Sequence, residues 1–279
     1  MARPKFYDLS TADGVSYEKI ARLHGTDVLA TTVIQKCIRY SQSQRCRFCT
    51  IEESLYAGDT VAVKSPEQIA EVAAAAVALD GVRQLVMTTG TTNGNDRGAA
   101  HLARCVRAVK KAVPHLPIQV QCEPPGDLAV IAELKDAGAT AIGIHVESMS
   151  DEVRRAWMPG KSTVALAEYR QAWAEAVRVF GTNRVSSYLL IGLGETADEI
   201  VHAAGELIAM GVYPFVVPFR PLAHSLAAHD GAGPPSVALV ADVTDRVAAL
   251  LRQAAMSGAD QQAGCAACGA CSLLPAAGG

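Results

Sequence analysis

Short apolar runs alternate along this chain with longer segments whose apolar residues recur every three or four positions. The runs are Val28 to Gln35, Gln84 to Thr89, Ile118 to Cys122, Ala139 to His145, Arg184 to Ile191 and Tyr213 to Phe219. Their length and β-branched content predict strands. Helices are expected over Ser65 to Leu79, Gly98 to Ala112, Leu128 to Asp136, Ser162 to Phe180 and Ala197 to Met210, with a last one over Pro235 to Met256. Gly81, Gly138 and Gly211 stand just past helical stretches, where a residue free to take positive φ ends a helix. Strands separated by helices imply parallel βαβ units with right-handed crossovers. A closed barrel of eight such units needs about 250 residues, and the two ends of the chain take part of its 279. The expected fold is therefore α/β, a partial (β/α)6 TIM-like barrel with N-terminal and C-terminal extensions. A doubly wound open sheet is the alternative. The expected organisation is an extension over 1–27, the barrel over 28–232, and a C-terminal helix with a cysteine-bearing tail over 233–279.

In parallel α/β architectures, functional groups gather at the C-terminal ends of the strands. A cysteine-rich loop follows the first strand, and Thr88 to Thr92 follow the second. Cys122 and Glu123 end the third, and His145, Val146 and Glu147 the fourth. Gly192 to Thr196 end the fifth, and Phe219, Arg220 and Pro221 the sixth. Every predicted strand thus delivers polar, glycine or metal-binding residues to one rim.

Composition narrows the function classes. Half the residues are hydrophobic but only 5% are aromatic, so alanine, valine and leucine must fill the core. A net charge of −3 and the absence of a basic run give no support for nucleic-acid binding. No apolar run approaches the eighteen or so residues of a membrane-spanning helix, and the first residues lack the apolar core of a signal peptide. The expected compartment is the cytoplasm.

Six of the eight cysteines fall in two clusters, Cys37, Cys46 and Cys49 in one and Cys265, Cys268 and Cys271 in the other. A reducing compartment and a chain of this length make a disulfide framework unnecessary. Three thiols on one loop can hold three irons of a cubane iron–sulfur cluster and leave the fourth iron open to a small molecule. A zinc site shared between the two ends is an alternative, although zinc usually takes two Cys-x2-Cys pairs or histidines at similar spacing. Three buried structural thiols are another, but Arg45, Arg47 and the polar stretch from Arg39 to Arg47 make a poor setting for them and would favour thiolates. The terminal Cys-x2-Cys-x2-Cys run has a recurring iron–sulfur spacing and suggests a second cubane; a disordered tail is its alternative. Cys122 is a candidate fourth ligand for that cluster, a substrate contact, or filling. Cys105, inside a helical run, is expected to pack.

Cys46-Arg-Phe-Cys49, Leu190-Ile-Gly-Leu-Gly-Glu-Thr196 and Glu147 followed by Arg154, Arg155 and Met158-Pro-Gly160 together resemble the radical S-adenosylmethionine superfamily, in its biotin synthase and lipoyl synthase branch. Within it the chain is similar to a group of proteins encoded beside nitrilases. The resemblance spans roughly residues 30 to 220. Three departures stand out. Eight residues, not the family's usual three, separate the first two cluster cysteines, and Gln42 stands where the usual spacing places the first. Thr89-Gly90-Thr91-Thr92 replaces the Gly-Gly-Glu type segment after the second strand. His145 replaces an expected asparagine.

The resemblance implies S-adenosylmethionine as cofactor, a [4Fe–4S] cluster on Cys37, Cys46 and Cys49, and reductive cleavage to methionine and a 5′-deoxyadenosyl radical that abstracts hydrogen from a small-molecule substrate. Sulfur insertion is one outcome; dehydrogenation or rearrangement, with the second cluster in electron transfer, is another. A non-enzymatic iron–sulfur electron carrier is a third reading. The implied partners are the substrate and an electron donor such as flavodoxin or ferredoxin, with no nucleic acid and no membrane. The implied cofactor contacts are Phe48 by the adenine, Thr89, Gly90, Thr91 and Thr92 at the methionine end, Glu147, Arg155, and Gly192, Gly194 and Glu195 near the nucleoside. Each has a plainer alternative: a loop anchor for Phe48, a helix cap for the threonines, a surface carboxylate for Glu147, a tight turn for the glycines. Cys122, His145 and Arg220 are the candidates for catalysis, Arg220 holding an anionic substrate or standing beside a cluster.

Overall fold

A computed structural model describes residues 3–278. Seven strands are hydrogen-bonded in sequence order: β1 (Arg22–His24), β2 (Val28–Thr32), β3 (Gln84–Thr88), β4 (Ile118–Gln121), β5 (Ala141–Gly143), β6 (Val185–Ile191) and β7 (Val212–Pro218). The pairs β2–β3, β3–β4 and β6–β7 are parallel. The main helices are α1 (Pro66–Asp80), α2 (Ala99–Ala112), α3 (Ala129–Asp136), α4 (Asp151–Trp157), α5 (Leu166–Phe180), α6 (Ala197–Ala209) and α7 (Val237–Gln253). All six expected strands and six expected helices are present. Two elements were not anticipated. β1 pairs antiparallel with β2, so the N-terminal extension adds a strand to the sheet. Helix α4 starts from a Ser150 cap accepting from Val153 N–H; seven residues are too short for an apolar period to be legible.

The chain divides into two compact units. The first comprises 1–38, 51–142 and 262–264. Its helix α1 begins with a reciprocal capping box between Ser65 and Gln68 and ends at Gly81, whose φ of 68° only glycine takes without strain. The strands β2 to β4 bury Leu29, Leu85, Met87, Ile118 and Val120. Between them sits a polar layer that the sequence did not advertise: Gln84, Gln119 and Gln121 are buried. Gln121 donates to Gln119 Oε1 at 2.8 Å, and Gln84 Oε1 accepts the backbone N–H of Gly264 at 2.9 Å. A Cβ at Gly264, whose φ is 105°, would fall 2.1 to 2.3 Å from the end of the Gln119 side chain. The segment before the terminal cysteines is therefore fitted against β3 and β4 by a residue with no side chain.

The second unit comprises 39–50, 143–261 and 265–279. Trp173 and Tyr169 of α5 fill its core, with Trp173 Nε1 donating to the Ile144 carbonyl at 2.9 Å. Arg154 is buried as well; it stacks over the Tyr169 ring and donates to the Val164 carbonyl. Among the described residues no helix is long and apolar enough to cross a membrane.

Candidate functional site

In the first unit, Cys37 follows β2 on a segment laid directly against the residues after β3. Gly90 N–H donates to the Ile34 carbonyl at 2.8 Å, and Ile38 N–H to the Thr91 carbonyl at 2.9 Å. A Cβ at Gly90 would stand 2.1 Å from the Lys36 carbonyl oxygen, so this approach requires glycine. Glu52 accepts the Cys37 N–H at 3.1 Å, and Gln35 Nε2 donates to the Ile51 carbonyl at 2.7 Å. These two contacts fasten the chain on both sides of the loop bearing the next two cysteines. Thr89 to Thr92 are thus paired with the Cys37 segment and are not a helix cap. Helix α2 is capped instead by Asp96, whose carboxylate accepts from Gly98 and Ala100 N–H. Cys122 is buried, and burial pushes its thiol up to about 12. Cys105 is buried too, its thiol likewise pushed up to about 12 by burial.

In the second unit, Cys46 and Cys49 bracket a turn closed by Cys49 N–H on the Cys46 carbonyl at 2.9 Å. The intervening residues tie the turn down. Arg47 N–H donates to the Trp157 carbonyl, Ala227 N–H donates to the Arg47 carbonyl, and the Arg47 guanidinium pairs with Asp230. Arg45 lies over the Tyr40 ring and donates to the His224 carbonyl. The Phe48 ring packs against the cluster of Leu193, Phe219 and Ala227.

Gly192 and Gly194 form the turn after β6 with φ of 102° and 136°. A Cβ at Gly192 would meet Pro235 at 2.8 Å, whereas one at Gly194 would have only Val153 in ordinary contact. Both glycines take the positive φ of the turn, and the first also leaves room for Pro235. Glu195 accepts from Ser148 Oγ, and burial raises its carboxyl above the usual range. Glu147 is no surface carboxylate. It is buried at a φ of 63° and accepts from Lys161 Nζ at 2.5 Å. Lys161 was missed in the sequence, although it directly follows the Met158-Pro-Gly160 segment. Arg155 is exposed on α4, while the adjacent Arg154 is structural.

His145 follows β5 with its ring stacked on Tyr188, centroids 4.0 Å apart and planes 12° from parallel. Its Nδ1 accepts the Tyr188 backbone N–H at 3.2 Å. The proton of the neutral imidazole therefore belongs on Nε2, which is buried and has no hydrogen-bond partner among the described residues. Burial, and then the Lys161 charge, push this imidazole down to about 3. It is neutral at working pH and presents an unused donor.

The terminal cysteines are packed, which removes the disordered-tail alternative. Cys265–Cys268 form one helical turn, Gly269 N–H returns to the Cys265 carbonyl at 2.8 Å, and Leu274 is fully buried. Gly258 lets the backbone pass the Ala266 carbonyl; a Cβ there would approach to 2.5 Å. Arg220 donates to the Cys271 carbonyl at 3.2 Å, and Ser272 Oγ to the Val216 carbonyl at 2.7 Å. Burial raises the Tyr188 phenol well above its usual range, and the neighbouring Cys265 side chain adds to the rise. Arg252 holds the Ala277 carbonyl at 2.7 Å.

All eight cysteines are thiols outside any disulfide, and the six expected ligands are half-buried. No three His, Cys, Asp or Glu side chains among the described residues converge as a single metal ion would require. A tetrahedral zinc needs that convergence; a cubane takes one thiolate on each iron. The thiol donor set and the orphaned His145 Nε2 fit a cluster with a polar ligand beside it better than they fit zinc.

Comparison with known proteins gives the family. Lipoyl synthase of Thermus thermophilus is 30% identical over 175 residues, covering 61% of this chain and 51% of that protein. Lipoyl synthase of Oceanobacillus iheyensis is 27% identical over 172 residues, covering 60% and 51%. The chain spans about half the length of these curated relatives. Among solved structures, the FeFe-hydrogenase maturase HydG from Carboxydothermus hydrogenoformans superposes with a TM-score of 0.62 at 18% identity, over 84% of this chain and 54% of that one. Methylornithine synthase (PylB) gives 0.59 at 15%, over 83% and 64%. At such identities the likeness establishes the fold alone, and that fold is the expected α/β partial barrel. The model of the Radical SAM superfamily matches residues 43–207, more than half of the chain; the protein belongs to the radical SAM superfamily.

Proposed function

We propose that this enzyme cleaves S-adenosylmethionine reductively and directs the radical to a small-molecule substrate, with carbon–sulfur bond formation as the outcome favoured by the lipoyl synthase relatives. When bound, the cluster and S-adenosylmethionine supply one electron and a 5′-deoxyadenosyl radical that removes hydrogen from a substrate carbon. Cys37, Cys46 and Cys49 hold the first cluster. The glycine-dependent pairing of Gly90 with the Cys37 segment supports this most directly, because it sets one ligand against the Thr89–Thr92 backbone. Phe48 steadies the loop between Cys46 and Cys49. The Nε2–H of His145 donates to cofactor or substrate, and the buried Glu147–Lys161 pair orders the rim beside it. Cys265, Cys268 and Cys271 hold a second four-iron cluster. Arg220 stands beside that cluster and closes its loop through the Cys271 carbonyl.

Anaerobic incubation of iron-loaded protein with dithionite and S-adenosylmethionine should release 5′-deoxyadenosine; none from a fully loaded sample overturns the proposal. The loaded chain should carry about eight irons. Replacing Cys265, Cys268 and Cys271 together should leave about four and keep cofactor cleavage.

A further inference from the structure

We infer that the segment 157–163 is the seat of the loop bearing Cys46 and Cys49, with Gly160 and Arg39 as positioning residues for the first cluster. This inference rests on the proposal that those thiols ligate that cluster. Eight residues separate Cys37 from Cys46, and ordering a loop of that length costs conformational entropy. Its own turn supplies part of the order: Gln44 and Arg45 N–H both donate to the Ser41 carbonyl, at 3.1 and 2.9 Å. The rest comes from a segment more than a hundred residues further on. Gly160 N–H donates to the Gln44 carbonyl at 2.9 Å, and Arg47 N–H donates to the Trp157 carbonyl at 2.8 Å. The Arg39 guanidinium donates to the Gly160 carbonyl and, at 3.1 Å, to Thr163 Oγ1. Thr163 Oγ1 in turn donates to the Gly160 carbonyl at 2.8 Å.

Gly160 has φ −69° and ψ −39°, a conformation any residue adopts. Its lack of a side chain therefore has no backbone cause. The cause is the loop: a Cβ at 160 would stand 2.6 Å from the Gln44 carbonyl oxygen and 3.2 Å from Arg39 Cβ. The nearer obstacle is main chain and cannot rotate aside, so a side chain at 160 lifts the loop two residues before Cys46. The same segment reaches the rim, because Lys161, next to Gly160, pairs with the buried Glu147. One short stretch thus holds both the cysteine turn and that carboxylate. Outer groups that orient metal ligands are worth about 10- to 100-fold in metal affinity, and Gly160 and Arg39 act at this level.

The test follows the EPR signal of the dithionite-reduced, iron-loaded full chain during challenge with a ferrous chelator. The first cluster is the one whose signal shifts when S-adenosylmethionine is added. In Gly160→Ala that signal should decay about tenfold faster than in the parent. Decay at the parent's rate overturns the inference and leaves the first cluster standing. A parent in which no signal responds to S-adenosylmethionine overturns the first-cluster reading itself. Alanine in a helical conformation ordinarily stabilises a chain, so a raised urea midpoint with unchanged decay also counts against the seat. If Gly160→Ala does not fold, Arg39→Met decides, because it cuts the side-chain bonds of the seat without adding bulk. The signal should again decay faster at an unchanged urea midpoint, and Arg39→Lys, which keeps a donor, should recover part of the difference. Equal decay in Arg39→Met and the parent overturns the inference.

Discussion

Lys161 Nζ lies 2.5 Å from Glu147 Oε2, and the two side chains keep only 12% and 10% of their surface exposed. Opposite charges this far from water are costly to separate, because the survivor remains buried without its partner. Lys161→Met should therefore destabilise the fold by about 3–5 kcal/mol, read by urea denaturation. Lys161→Met combined with Glu147→Gln should recover most of that loss, since no unpaired charge remains. Strict additivity of the two substitutions would mean the pair does not interact in solution.

Lys64 is buried, and its Nζ donates to Thr31 Oγ1 at 3.1 Å, a neutral partner. Burial, helped by the Arg22 charge, lowers its ammonium from 10.5 to about 7. Between those values the unfolded chain binds a proton that the folded chain does not. Stability should therefore rise with pH from about 7 to about 10.5, by up to about 1.4 kcal/mol per unit. Lys64→Met removes this slope. The variant should be more stable than the parent at pH 7, and the difference should shrink towards pH 10. An equal gain at both pH values would show that Lys64 is solvated in the folded state.

His145 predicts an acid limb. Its folded value of about 3 lies below the ordinary 6.5. Its contribution is fully present above pH 6.5 and is lost as pH falls towards 3, at up to about 1.4 kcal/mol per unit. Compared with the parent, His145→Asn should flatten the stability curve in this window. Chemical-shift titration of the ring should find it neutral at pH 5; a protonated ring there contradicts the buried placement.

Gly264→Ala tests the fitting of the terminal segment. The added methyl collides with Gln119, and φ of 105° disfavours any side chain. We expect a loss of roughly 1–3 kcal/mol together with loss of the irons of the proposed terminal cluster. Adding Gln119→Ala relieves the collision but not the backbone strain, so stability should return only in part. Full iron and an unchanged melting temperature in Gly264→Ala would show that the segment is not seated on Gln119.

Runs of β-branched residues and helical periods located the six strands and six helices, because burial on a sheet or helix face imposes a repeat that any reader of the chain can see. The spacing of Cys46 and Cys49 and of Cys265, Cys268 and Cys271, the proposed ligands, was equally local, since it is read from neighbours in sequence. The glycine pattern after β6 marked a turn, but it took Pro235, more than forty residues on, to explain why Gly192 has no side chain. The same holds for Gly90 against Lys36 and Gly264 against Gln119: a close approach between distant segments leaves no periodic trace. Lys161, Tyr188 and the buried glutamines have ordinary sequence surroundings. Their roles come from partners that the chain's path alone supplies. Periodicity and cysteine spacing thus determined the architecture and the candidate thiols. Tertiary structure decided which charges are buried, which carboxylate has a partner, and which ring stacks on His145, because those depend on distances between residues far apart in the chain.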